Sequence, residues 1–277
     1  MHTPVLLQEV IESLDIRSGG RYIDATAGEG GHIGELLHRG AHVLAIDRDK
    51  SQIEKLEKKY SGNDKVTFVI GNFAHIEEIA IKNNMVPVDG ILFDLGLSMA
   101  QLSEGNRGLS YKNLNEPLDM RLDREELETA AELIRTLSEP ELYRLIARNS
   151  EELAAKKIAE TIITERLKYR INLVGDLIRV LDKAVGTSDE SVYRRIFQAF
   201  RIEVNHEFEN LVLGLTGAVK ITKEGGRIAV ITFHSTEDRI VKEFIKKKNM
   251  KSLFKKVITG ERQKRYERSA KLRIIIV

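Results

Sequence analysis

Four short stretches in the first third of the chain are apolar almost throughout: RYIDAT (21–26), AHVLAID (41–47), KVTFVIG (65–71) and VDGILFD (88–94). Runs of this length and β-forming character predict strands buried on both faces, as in a parallel sheet. Between them the period changes. In DKSQIEKLEKKY, Ile53, Leu56 and Tyr60 recur at i, i+3 and i+7, which is one face of a helix. Gly40 follows HIGELLHR where a helix-ending residue belongs. Strand–helix alternation predicts a doubly wound α/β sheet, whose ligands sit at the carboxyl ends of the strands.

The rhythm breaks after Asp94. Residues 103–123 read as a long loop, and a helical series follows. Ser138 and Glu141 stand in capping-box spacing, and Ser150 stands ahead of another helix. Strand character returns at GRIAVITF (226–233) and KLRIIIV (271–277). FQAFRIEVNHEFENLVLGLTGAVKIT (197–222) reads as one long helix re-entering the sheet. The expected organisation is one α/β domain, 1–103 with 201–277, carrying a helical insertion over 104–200.

Composition narrows the chemistry. The 277 residues include no cysteine, which excludes disulfides, thiolate metal sites and a cysteine nucleophile. The seven histidines form no paired ligand spacing, so no metal centre is expected. No apolar run approaches the ~18 residues of a membrane span. MHTPVLLQEV has neither a basic leader nor a cleavage site, so a cytoplasmic location is expected. Net charge is only +2, but residues 242–273 hold 13 Lys or Arg against three Glu. Such a segment is either a nucleic-acid footprint or a solvated Lys-rich helix.

The first strand runs into IDATAGEGGH (23–32). Started at Gly28, the dinucleotide fingerprint GxGxxG requires glycine where Ile33 stands, and no P-loop G-K-[ST] is present. Asp24 followed by Gly28, Gly30 and Gly31 resembles the first motif of class I S-adenosylmethionine-dependent methyltransferases. A carboxylate at Asp24 repels pyrophosphate but suits a cationic sulfonium and amino group. Asp47 ends the second strand, where an acid can accept both ribose hydroxyls. Phe73 is placed to stack on adenine, and Asp94 ends the fourth strand. Each has a plainer reading: Asp47 as a helix cap, Phe73 as core, Asp94 as a turn residue. Their recurrence at successive strand ends favours the cofactor.

Longer motifs extend the resemblance over nearly the whole chain: HTPVLL (2–7), DGILFDLGLSMAQL (89–102), RGLSY (107–111), PLDMRLD (117–123), FQAFRIEVN (197–205), GGRIAVITFHSTEDRIVK (225–242) and RSAKLR (268–273). Their order resembles the bacterial family that methylates the exocyclic N4 of a cytidine in 16S ribosomal RNA of the small subunit. The resemblance implies donor contacts at Gly30, Gly31, His32, Asp47, Phe73, Asp94 and Gln101, and a helical insertion covering the active site. The family usually has SSPQL where this chain has SMAQL, RGFSF where it has RGLSY, and a basic loop where GTSDESVYRRI stands.

Methyl transfer from sulfonium to nitrogen is an in-line displacement, for which positioning is the main contribution. The cytosine amine is a poor nucleophile because its lone pair is delocalised into the ring. An acceptor for N4–H localises that pair, and no covalent adduct is needed. Methylation at carbon 5 normally needs a cysteine and is closed to this chain. The candidate catalytic residues are Asp94 and Asp119 as acceptors, with His234 nearby as a polar contact or proton acceptor. A salt bridge to Arg121 or a helix cap explains Asp119 equally well, and the plainer reading of His234 is a strand-end histidine bonded to backbone. Candidate RNA contacts are Tyr111, Arg121, Arg194, Arg195, Arg201 and Lys271; Tyr111 is equally explained by packing. The rivals are a methyltransferase acting on another RNA or a small molecule, a nicotinamide dehydrogenase, and a non-catalytic RNA-binding assembly protein. A monomer and a homodimer both remain open.

Overall fold

The computed structural model describes residues 4–97, 101, 106–123, 128–260 and 267–277. The chain forms two compact units, Met1–Leu97 with Phe208–Val277, and Ser98–Glu207. The first begins α1 (Leu7–Leu14), β1 (Arg21–Asp24), α2 (Gly31–His38), β2 (His42–Asp47), α3 (Lys50–Lys59), β3 (Val66–Ile70), α4 (Ile76–Lys82) and β4 (Val88–Asp94). The second holds α5 (Ala130–Thr136), α6 (Glu139–Ser150), α7 (Ala155–Arg166), α8 (Val174–Val185) and α9 (Glu190–Val204). The chain returns through α10 (Glu207–Ile221), β5 (Thr222–Thr232), α11 (Ser235–Lys247), β6 (Lys251–Ser252), β7 (Ile258–Thr259) and β8 (Lys271–Ile276). Among the described residues no helix is long and apolar enough to cross a membrane.

The strand order is β3-β2-β1-β4-β5-β8-β6, with β7 also on β8. The first five are parallel and β8 runs against β5. This is the doubly wound α/β sheet expected from the strand–helix alternation, closed by antiparallel β8. Alternate side chains of each strand feed two cores, one on either sheet face, because successive Cβ atoms point to opposite sides. Ile23, Leu44, Ile91 and Val230 enter one; Tyr22, Val43, Leu92 and Ile231 enter the other. The register pairs Asp24 with Ala45 and Leu92, and Asp94 with Ile231. Asp24, Asp47, Asp94 and the residues after Thr232 therefore end at one edge.

Local signals explain most termini. Gly40 adopts φ +81° after α2, and the N–H of Ala41 closes the helix on Leu36 O at 3.1 Å. Ser138 and Glu141 form the capping box of α6. Two expectations are corrected. Ser150 precedes α7 but does not cap it; it is the last residue of α6, and its hydroxyl donates back to Ile146 O at 2.6 Å. Residues 197–222 are not one helix. The chain breaks at Asn205–His206, with His206 at φ +49°. The fully buried Asn205 amide donates to Met120 O and Arg201 O and accepts from Leu122 N, all at 2.8 Å. Those partners fix the break.

Candidate active site

The loop after β1 is stitched to the neighbouring strands by backbone groups. Ala25 N donates to Leu92 O and Ala27 N to Ile46 O, both at 2.9 Å. The carboxylates complete the stitching. Asp24 Oδ1 accepts from Thr26 N at 3.2 Å, and Thr26 Oγ1 accepts from Asp94 N at 2.6 Å. Asp47 Oδ2 accepts from Gly28 N and its Oδ1 from Asp49 N, both at 2.8 Å.

The electrostatics of this cluster are unfavourable without a cation. Burial raises Asp24 to about 7, against the Thr26 N–H and with help from the charges of Asp94 and Asp47. Burial also raises Asp94 to about 7, against a Gly96 backbone bond and with help from Glu237. Asp47 is raised by burial too, opposed by its bonds from Asp49 and Gly28. The Asp94 side chain is 21% exposed, yet its Oδ1 is buried with no hydrogen-bond partner among the described residues. An orphan acceptor beside mutually repelling carboxyls fits a cationic ligand.

The glycines divide by role. Gly28 has φ +48°, and a Cβ there meets nothing nearer than Thr26 O at 3.8 Å. Gly30, at φ +74°, has its Cβ direction filled by Leu56 Cδ2 at 2.4 Å. A Cβ on Gly31 meets Pro4 Cγ at 2.3 Å. So Gly30 and Gly31 are small for helix–loop packing, and Gly28 alone leaves its backbone uncovered. Gly30→Ala is expected to cost about 2–4 kcal/mol from left-handed strain and overpacking. Gly28→Ala is expected to cost less stability and more donor affinity. Melting temperatures and donor titrations of both variants check this; an unchanged melting temperature for Gly30→Ala contradicts it.

Phe73 follows β3 and stacks edge-on against Phe93, ring centroids 5.5 Å apart, leaving its ring partly exposed. His32 is buried; its Nε2 lies 3.1 Å from Val5 O, which only accepts, so that nitrogen carries the proton. Burial lowers its pKa to about 4, and the unprotonated Nδ1 faces Asp94 Oδ2 at 4.0 Å. His234 caps α11, its Nδ1 accepting from Glu237 N at 3.4 Å. Its Nε2 lies 2.8 Å from Glu237 Oε1 but off hydrogen-bond geometry. Glu237 itself, buried and bonded to Phe233 N at 2.8 Å, is the residue that sequence reasoning missed. Its one signal is its place three residues after His234.

Asp119, Gln101 and Tyr111 belong to the second unit. Asp119 is bound bidentately by Arg121, at 2.7 Å and 2.9 Å. Burial opposes, but the guanidinium prevails and holds Asp119 below the usual carboxylate range. Tyr111 donates to Glu190 at 3.1 Å and packs on Tyr193 and Phe197. Gln101 is buried.

The cations proposed for RNA are largely engaged. Arg121 holds Asp119, Arg195 holds Glu152 at 2.7 Å, and Arg201 holds Glu207 at 2.8 Å and 3.0 Å. In the first unit, Lys271 lies 3.7 Å from Asp238, which Arg273 binds twice. Arg194 is exposed and makes no ion pair among the described residues. Residues 261–266 of the basic segment lie outside the described residues.

A model of the MraW methylase family matches residues 1–275. A protein of Symbiobacterium thermophilum, "Ribosomal RNA small subunit methyltransferase H", is 42% identical over 250 residues, covering 87% of this chain and 78% of its own. The protein of the same name from Coprothermobacter proteolyticus is 39% identical over 285 residues, covering 99% and 95%. Among solved structures, PH0851 superposes with a TM-score of 0.51 at 12% identity, over 100% of this chain and 46% of that one, a likeness of fold.

Proposed function

The chain belongs to the MraW methylase family, whose methyl donor is S-adenosylmethionine, and from that premise we propose that it methylates the exocyclic N4 of a cytidine in 16S ribosomal RNA of the small subunit. The observation that carries the reading is the strand-end carboxylate cluster with its orphan Asp94 Oδ1, in a chain about 40% identical to proteins named for small-subunit ribosomal RNA methylation.

Asp24, Asp94 and the uncovered Gly28 backbone hold the amino-acid end of the donor. The second lone pairs of Asp47 accept the ribose hydroxyls, and Phe73 offers its open face to adenine. Gly30, Gly31 and His32 shape the wall. The donor supplies an electrophilic methyl group on a sulfonium, needing no metal and no covalent enzyme adduct. The protein's task is then to accept from N4–H, align the amine and exclude water. Asp119 is suited to accepting because Arg121 keeps it ionised. His234, its Nδ1 committed to the helix cap, presents Nε2 beside Glu237 as a polar contact. The second unit, with Tyr111 and Arg194, recognises the substrate.

Asp119→Ala is expected to lower turnover at saturating RNA about 10²-fold while donor affinity changes little. Equal loss of both assigns Asp119 to the fold through Arg121. The function is tested with labelled donor and purified ribosomal subunits. Label is expected in small-subunit RNA; label confined to the large subunit or to free nucleosides contradicts the proposal.

A further inference from the structure

Residues 246–256 hold six lysines and no carboxylate. Lys246, Lys247, Lys248, Lys251, Lys255 and Lys256 are all exposed, and none is in an ion pair among the described residues. This sets them apart from Arg121, Arg195, Arg201 and Arg273, whose charges are spent on carboxylates. Within the run stands Phe254, 43% exposed. Its neighbour Leu253 packs on the core and bonds through its backbone to Ile274.

The register locates this surface. β5 runs toward the carboxylate edge, where Thr232 pairs with Lys271, while Arg227 at its other end pairs with Ile276. Lys251 also pairs with Ile276, and Thr259 with Lys271. The α11 helix leaves the carboxylate edge at His234 and ends 13 residues later. At 1.5 Å per residue it carries Lys246–Lys251 about 20 Å from that edge. Residues 251–259 then climb back along the outer side of β8. Lys246–Lys251 are therefore remote from the methyl-transfer site, and Lys255 and Lys256 stand on the return toward it.

Resting on the ribosomal RNA reading, we propose that Lys246–Lys256 is a remote anchor that grips an unpaired RNA segment flanking the target nucleotide. Its lysines neutralise successive phosphates, and Phe254 offers a stacking face to one base. Unpaired lysines around an exposed aromatic are the combination that binds single strands with little sequence preference. At ~3.4 Å per stacked nucleotide, 20 Å places the far end of the gripped segment about six nucleotides from the target.

The test uses the full chain, 16S ribosomal RNA, and the variants Lys248→Gln/Lys251→Gln/Lys255→Gln and Phe254→Ala. With the triple variant, RNA affinity is expected to fall about tenfold or more, and the plot of log affinity against log salt to flatten by about two. Turnover at saturating RNA should be unchanged. Phe254→Ala should lose about tenfold in affinity with an unaltered salt slope, and Phe254→Trp should restore it. Unchanged affinity and slope in the triple variant overturns the anchor. Lost binding to phosphatidylserine vesicles, with RNA binding intact, overturns it in favour of a lipid surface. Wild-type protein that binds RNA through these lysines but transfers no methyl group leaves the anchor standing and removes the enzymatic reading.

Discussion

Asp94→Asn is expected to reduce methyl transfer by about 10²–10³-fold, a loss typical of removing one positioned electrostatic contact, without unfolding the protein. The main-chain bond from Asp94 N to Thr26 Oγ1 is untouched by the change. What changes is the carboxyl group, whose Oδ1 has no partner among the described residues. The amide has the same shape but carries no charge, and one of its two positions donates instead of accepting. Asp94 is neutral below about 7 because burial resists its charge. Asparagine is spared that resistance, so above pH 7 the variant should melt at the same temperature as the wild type or higher. Gain of stability with loss of function is the mark of a group held at a cost for its ligand. Activity and melting temperature falling together would instead make Asp94 a structural residue.

The second large effect is on pH. Asp24 and Asp94 both stand at about 7 in the folded protein, above the ordinary value of 3.8. A raised acid favours folding in its neutral form, so the donor-free protein loses stability as pH rises from about 4 through 7. A cationic donor prefers the charged carboxylates and reverses the sign. Its affinity should climb about tenfold per pH unit for each carboxyl that must ionise, then level off above about 7. Calorimetric titration between pH 5.5 and 8.5 reads this directly, with protons released on binding below pH 7. The uncharged thioether product should show a shallower climb, since only its amino group remains cationic. A donor affinity flat across that range would mean the carboxylates do not face the positive charge.

β1, β2 and β4 were legible because burial on both faces leaves an unbroken apolar run, whereas β3, expected to be equally buried, is an edge strand with no buried residue. The glycine loop was legible because its spacing excludes the dinucleotide pattern. Asp24, Asp47 and Asp94 were found for the same reason: each ends such a run. Other features depend on partners that sequence distance hides. Asn205 looks like one more polar residue on a helical face, and only Met120 and Leu122, more than 80 positions earlier, reveal that it ends a helix. Arg195 and Arg201 look like free cations until Glu152 and Glu207 are seen to hold them. Arg121 is the instructive exception, since its carboxylate lies two residues away and the pair was readable as an alternative. Gly30 and Gly31 follow the cofactor motif, yet Leu56 and Pro4 show that side-chain packing alone requires them to be small. The remoteness of the lysine run needed the register of β6, β7 and β8, which composition does not carry.

The central claim is that carboxylates at one sheet edge hold a sulfonium donor for attack by a cytidine amine. Its most direct test is mass spectrometry of nucleosides from 16S ribosomal RNA after incubation with the protein and deuterium-labelled S-adenosylmethionine. The labelled methyl group is predicted on N4 of a single cytidine. Label on carbon 5, on a ribose hydroxyl, or on no cytidine would contradict it.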